Sequence, residues 1–346
     1  MAAILVDIVA VPETAGSALY GLVDVLSATG SVWQTLARLG EERRVFEPRI
    51  VSPHRKPFRC GFGIPVQPKC HLDEARNAGI VILPELWLGP DEAWRDRYPQ
   101  LLSWIRQRHQ QGAFIYSACS GAVMLAATGL LDGRDATSHW GYQQLFRRDF
   151  PEVHFHPEPN LCFADRDGRI VTAGGTTSWH DLALHIIARH CSPAEAVRIA
   201  KVYLLKWHSE GQLPYTPLVR PLAHGDAVVT DCEQWLKSHF TEPALICAVV
   251  ARSGMPERTL KRRFKAMTGM SLIDYIQNLR IEESKRLLES SRTAVDDISA
   301  AVGYEEAAFF RRLFKRRTNL TPGEYRRLFR HIPRDVSPTR TRGMIR

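Results

Sequence analysis

One stretch of the chain occurs twice. Ala251-Arg-Ser-Gly-Met-Pro-Glu-Arg-Thr-Leu-Lys-Arg-Arg-Phe264 is echoed by Ala300-Ala-Val-Gly-Tyr-Glu-Glu-Ala-Ala-Phe-Phe-Arg-Arg-Leu-Phe314. Each copy reads as a short apolar helix, a glycine turn and a second helix, the layout of a helix-turn-helix. A duplicated unit has to fold the same way twice, so its two second helices must present equivalent faces. In the first copy Leu260 and Phe264 form an inward i, i+4 stripe, which leaves Arg258, Lys261, Arg262 and Lys265 outside. In the second, Phe310 and Phe314 point inward and Ala308, Arg311, Arg312 and Lys315 lie outward at the same spacing. Thr259, Glu306, Ala307 and Arg316 flank these positions and complete the predicted contact set.

Between the copies, Leu272 to Leu288 has helical periodicity and no breaker. At ~1.5 Å per residue it spans about 26 Å, enough to set two units roughly one turn of DNA apart. Charge supports that reading once it is localised. Residues 251–346 hold 22 Lys/Arg against 11 Asp/Glu, which places +11 there and, with +9 on the whole chain, leaves −2 on the first 250 residues. A basic, arginine-rich face at helical spacing is the footprint of a polyanion binder, here double-stranded DNA. A plain helical bundle explains the inward stripes but not the duplicated basic faces. Arg258, Lys261, Arg262, Ala308, Arg311 and Arg312 are placed to read bases, and Lys265, Lys315 and Arg316 to contact phosphates.

The rest of the chain has a different period. Apolar runs at 3–11, 45–51, 79–83, 113–118 and 169–173 alternate with helix-like stretches at 17–28, 97–110, 121–128, 178–190 and 193–207, which predicts an α/β domain with a mostly parallel sheet covered on both faces. The stretch 211–225 carries three prolines between helical segments and reads as a linker. The expected organisation is therefore 1–210 α/β, 211–225 linker, 226–330 all-α and 331–346 a basic, disordered tail. Seven scattered cysteines without a Cys-x-x-Cys pair point to neither a disulfide framework nor a metal site, and no cofactor is expected. No apolar run reaches the ~20 residues of a membrane helix, and Asp7 interrupts the first apolar stretch, so a cytoplasmic location is expected.

Two family resemblances extend this reading. Residues 226–330 resemble the AraC/XylS-type DNA-binding domain, most clearly at Gly303-Tyr-Glu-Glu-Ala-Ala-Phe-Phe-Arg-Arg-Leu-Phe-Lys-Arg-Arg-Thr-Asn-Leu-Thr-Pro-Gly-Glu-Tyr-Arg326. Pro256 stands where that family usually has a Ser cap, and Asn319 at the usual helix-ending Gly; both are tolerated in those conformations. Residues 1–210 resemble the PfpI/class I glutamine amidotransferase-like superfamily through Phe114-Ile-Tyr-Ser-Ala-Cys119-Ser-Gly121, with Gly129 to Trp140 and Thr172 to Leu184 downstream. The implied fold is a flavodoxin-like, amidotransferase-like sandwich. In it Cys119 occupies a nucleophile elbow and His139 lies near it.

Catalysis needs a positioned base and oxyanion donors as well as a thiol. Relatives that hydrolyse carry His after the cysteine, where this chain has Ser120; an acidic partner near the first helix is replaced by Ser17-Ala18; and the Gly-Gly after the 80–83 strand is Glu85-Leu86. The expectation is a non-enzyme whose crevice beyond the strand ends, with Glu13, Glu85, Cys119, Ser120, His139 and Thr176, binds a small effector. By resemblance, that effector is a nitrogen-containing metabolite, the regulator is an activator that works with RNA polymerase, and the assembly is a homodimer. The alternatives are a PfpI-type cysteine hydrolase or lyase that uses Cys119 and His139 and also binds DNA, or a non-specific DNA binder driven by charge.

Overall fold

A computed structural model describes residues 2–38, 42–89, 92, 94, 96–219 and 224–330. Two compact units divide the chain, Met1–Gln212 and Leu213–Arg346. The expected tail at 331–346 and residues 220–223 of the expected linker lie outside the described residues.

The first unit is α/β. Its strands are β1 (Ile4–Val9), β2 (Phe46–Ser52), β3 (Phe58–Cys60), β4 (Ile64–Val66), β5 (Cys70–His71), β6 (Ile80–Leu83), β7 (Phe114–Ala118), β8 (Asp135–Ala136), β9 (His154–Phe155), β10 (Leu161–Phe163) and β11 (Ile170–Ala173). Its helices are α1 (Gly16–Ser27), α2 (Val32–Ala37), α3 (Pro99–Gln110), α4 (Gly121–Ala127), α5 (Gln143–Asp149), α6 (Trp179–His190) and α7 (Pro193–Tyr203). Seven strands form one sheet in the order β10-β11-β7-β6-β1-β2-β5, parallel except for β10 at the edge. Val6, Ile8, Ile80, Ile82 and Ile115 are fully buried, as strands covered on both faces must be. One apolar core joins the sheet to α3 and α4, and a second joins it to α1 and α6. Connections run outward in both directions from β1 and β6, so the chain reverses between these two strands, and the carboxyl ends there are where open α/β sheets take ligands.

Helix α7 starts as its sequence dictates: Ser192 caps the Glu195 amide at 3.1 Å and Pro193 occupies the first turn. The expected extension to 207 does not form. Leu204 takes a left-handed conformation (φ 55°) and ends the helix at Tyr203.

The second unit is helical: α8 (Ala227–His239), α9 (Leu245–Ser253), α10 (Glu257–Thr268), α11 (Leu272–Ser290), α12 (Val295–Ala301), α13 (Ala307–Thr318) and α14 (Pro322–Phe329). Each half has its own core, one around Val249, Leu260, Phe264 and Tyr275, the other around Ile298, Phe310, Phe314 and Tyr325.

Candidate functional site

Helices α9–α10 and α12–α13 repeat in detail. Leu260, Phe264, Phe310 and Phe314 are fully buried. Thr268 and Thr318 each return a hydroxyl bond to the carbonyl four residues back, at 2.8 Å in both copies. Gly269 and Asn319 then end the helices in left-handed conformations, with amides bound to Lys265 O and Lys315 O at 2.9 and 2.8 Å. Ser271 and Thr321 cap the helices that follow, Thr321 in a capping box with Glu324. The copies differ in the turn, which runs 254–256 in the first and 302–306 in the second. Pro256 is the residue preceding α10, in extended conformation, and Glu306 has the same place before α13.

The outer faces carry the charge. Arg258, Lys261, Arg262 and Lys265 on α10, and Ala308, Arg311, Arg312, Lys315 and Arg316 on α13, are exposed, as is Glu306, while Thr259 and Ala307 are half-buried. Lys261 pairs with Glu257 and Arg311 with Asp296. Arg258, Arg262, Lys265, Arg312 and Lys315 make no ion pair among the described residues. Arg263 and Arg317 face elsewhere. The first binds Asp226 at the start of α8, the second Asp274 and Gln277 on α11.

In the first unit, the loops after β1, β6, β7 and β11 carry Glu13, Glu85, Cys119 and Thr176 at the carboxyl ends of neighbouring strands. The first two loops are laced together by Ala15 N to Glu85 O at 2.8 Å and Trp87 N to Glu13 O at 2.7 Å. Cys119 sits at a strained strand-to-helix turn with φ 52°. Gly121 is required beside it, because a Cβ there would stand 2.1 Å from Leu83 O. The Cys119 thiol is buried and its Sγ lies 3.6 Å from Glu85 Oε1. Burial, and next the charge of Glu85, push this thiol well above its ordinary value. Burial likewise raises the Glu85 carboxyl, against the lowering influence of the Thr176 hydroxyl and the Cys119 thiol. Glu85 Oε2 is buried without a hydrogen-bond partner among the described residues.

Ser120 fills the position after the cysteine in an unexpected way. Its hydroxyl accepts from Leu86 N at 2.7 Å and lies 2.6 Å from Leu86 O, to which it donates. Glu13 turns its carboxylate to Arg97 and Tyr98, both at 3.0 Å. His139 Nδ1 accepts from Gly141 N at 3.0 Å, and its ring lies against Gly175, beside Thr176. The residue before it, Ser138, donates to Cys119 O at 2.7 Å.

The helix-turn-helix domain family matches residues 249–328 and the DJ-1/PfpI family matches residues 29–189. The chain is 30% identical over 225 residues to the HTH-type transcriptional regulator GlxA of Rhizobium meliloti (strain 1021), covering 64% of this chain and 68% of that protein. It is also 30% identical over 237 residues to the HTH-type transcriptional regulator CdhR of Pseudomonas aeruginosa, covering 66% and 67%. Over 115 residues it is 33% identical to the HTH-type transcriptional activator RhaR of Yersinia pseudotuberculosis, covering 33% and 38%. This chain is an AraC-type transcriptional regulator with an N-terminal DJ-1/PfpI domain.

Several residues that shape the regulator's sites were not singled out by sequence reasoning. Arg97 and Tyr98 hold Glu13, Ser138 holds the elbow, and Arg280 ties the two helix-turn-helix halves together. Arg280 donates to Phe240 O at 2.7 Å, Gly303 O at 2.8 Å and Glu242 O at 3.2 Å, and lies 5.1 Å over the Tyr304 ring. Its partners are main-chain carbonyls 23 to 40 residues away, which no side-chain pattern announces. Among the described residues no His, Cys, Asp and Glu group could hold a metal, and no helix is long and apolar enough to cross a membrane.

Proposed function

We propose that the regulator reads two half-sites with α10 and α13 and takes its signal from a small effector bound, not transformed, at the elbow of the first unit. Arg258, Lys261 and Arg262, with Ala308, Arg311 and Arg312, face the bases; Thr259, Glu306 and Ala307 flank them; Lys265, Lys315 and Arg316 hold phosphates. The effector site consists of Glu85, Cys119, Ser120, His139 and Thr176, with Glu13 held at its edge.

The observation that carries this reading is the Ser120–Leu86 pair. A hydrolytic elbow needs a thiolate and free backbone donors for an oxyanion. Here the thiol is held protonated by burial, and the Leu86 amide is already bound to Ser120. The unpartnered Glu85 Oε2 favours an effector that brings a hydrogen-bond donor, which a nitrogen-containing metabolite would supply. The name of the RhaR relative, a transcriptional activator, supports activation, and the same reading includes work with RNA polymerase in the cytoplasm as a homodimer.

The test is a genomic-fragment pull-down at near-physiological salt. Recovery of a few loci that share two short half-sites about one helical turn apart supports the reading. Uniform recovery at low salt that vanishes at moderate salt would instead mark charge-driven, non-specific binding.

A further inference from the structure

The segment that leads into the second unit is not a free tether. Residues 213–219 lie along α11, and three side chains one helical face apart read their main chain. Asn278 Nδ2 donates to Leu218 O at 3.2 Å, Glu282 Oε1 accepts from Leu218 N at 2.9 Å, and Lys285 Nζ donates to Thr216 O and to Glu282 Oε1, both at 3.0 Å. Both strand-type hydrogen-bonding groups of Leu218 are thus satisfied by side chains of one helix. Lys285 is 6% exposed, with its ammonium 5.9 Å over the Tyr325 ring, and Asn278 is 6% exposed. Buried polar residues on a packed helix are costly without partners, so this row makes physical sense only with the segment in place.

The apolar side chains of the segment divide between the two halves. Val219 packs against the core that contains Leu260 and Phe264, Leu218 against the core that contains Phe310 and Phe314, and the Tyr215 ring lies 5.2 Å from Phe329. One short strand of chain therefore touches both helix-turn-helix cores at the seam that α11 spans.

We propose that residues 213–219 are a strap that fixes the geometry of the two DNA-reading halves, and that Asn278, Glu282 and Lys285 are positioning residues that hold it. The strap begins at the residue after Gln212, where the first unit ends. Strain exerted on the chain at that point acts on the Tyr215 and Thr216 contacts and, through them, on those of Leu218. The strap is then a part of the reader itself, and its seating sets the half-site spacing that the regulator accepts.

The experiment uses the full-length protein, with Asn278→Leu as the main variant. Leucine has the same number and branching of side-chain heavy atoms, and the change also removes Asn278 Oδ1, a buried atom without a partner among the described residues, so the variant should fold. Lys285→Met is the second variant; it keeps the apolar stem and removes the ammonium. Two quantities are read. Amide hydrogen exchange at Leu218 should quicken at least about tenfold while the amides of α11 stay protected. Affinity is then measured for DNA fragments retained by the wild-type protein and for versions with one base pair added or removed between the half-sites. The wild type should discriminate strongly, and both variants should lose about tenfold of that discrimination while keeping affinity for the original spacing within about threefold. Unchanged exchange at Leu218 in both variants overturns the strap. Faster exchange with spacing discrimination intact overturns its role in positioning. The exchange reading needs no DNA, so failure to find specific sites would count against the two-half-site proposal and leave the strap to be judged by its own measurement.

Discussion

Ser120 Oγ sits 2.7 Å from the Leu86 amide and 2.6 Å from the Leu86 carbonyl, bridging the elbow to the loop after β6. That hydroxyl occupies the Leu86 amide, which is then not a free donor for an oxyanion, and the Cys119 thiol is buried against Glu85. Thiol chemistry should follow exposure accordingly. Under native conditions near pH 8, iodoacetamide should label the exposed Cys191 and Cys247 well before Cys119, which should react only as the protein unfolds. Peptide mass spectrometry across a time course reads the order. Early modification of Cys119 would revive the hydrolase reading, whereas Cys119→Ala with intact DNA binding and effector response would agree with a non-catalytic elbow.

The basic outer faces of α10 and α13 predict a division between specificity and affinity. Arg262→Ala should cost about 1–3 kcal/mol on the preferred sequence and relax the choice of base at one position. Lys265→Ala should weaken all sequences alike and lower the salt slope by about one unit. Titration of a one-base-substituted operator panel at several salt concentrations separates the two. Identical, sequence-independent losses would mean that Arg262 contacts phosphate. Arg311 begins bound to Asp296, so Asp296→Asn should free it and alter base choice in the second half-site only.

The main strands of the sheet were legible because strands buried on both faces leave unbroken apolar runs: Ile80–Leu83 and Phe114–Ala118 could be little else. The small elements were not. The β3–β4 hairpin, β8–β9 and α2 are too short for a period to show. At the elbow, Cys119 and Gly121 were readable because the turn admits few residue types. The Ser120–Leu86 bridge was not, because its partner is a backbone amide 34 residues away. The helical repeat was legible down to its outer faces, yet Arg263 and Arg317 resemble their outward-facing neighbours in sequence and are separated only by which way the helix turns them. Three prolines made 211–225 look like a plain linker, and nothing local to it indicated that Asn278, Glu282 and Lys285 would hold its first half.

Arg280 predicts a coupling that stability alone would miss. Its guanidinium satisfies carbonyls from the α8–α9 loop and from the turn of the second helix-turn-helix, and Gly303 is glycine because a Cβ would stand 2.7 Å from Thr241 O. Arg280→Met keeps most of the stem but strips these acceptors of their donor, a loss of roughly 1–3 kcal/mol for each one left buried. The thermal midpoint of the second unit should fall. Affinity for a two-half-site operator should fall more than affinity for either half-site alone, as measured by anisotropy on matched duplexes. Equal losses on single and paired sites would reduce Arg280 to a purely structural tie.

His190 gives the first unit a signed response to acid. Its Nε2 lies 2.9 Å from the Tyr116 hydroxyl, and burial, aided by the neighbouring charges of Arg189 and His185, lowers its pKa to about 4 from an ordinary 6.5. Between those two values the unfolded chain binds a proton that the folded chain refuses, so stability rises with pH there. The contribution is complete above about 6.5 and is lost as pH falls towards about 4. Asp7 and Glu85 act in the opposite sense, because burial raises their carboxyls and the folded state then takes up protons more readily. The informative quantity is therefore the difference between wild type and His190→Gln, which keeps a hydrogen-bonding partner for Tyr116 but cannot titrate. Thermal melts from about pH 7.5 down to about pH 4.5 should show the variant losing less midpoint temperature than the wild type. Parallel curves for the two proteins would show that His190 takes no part in the acid response.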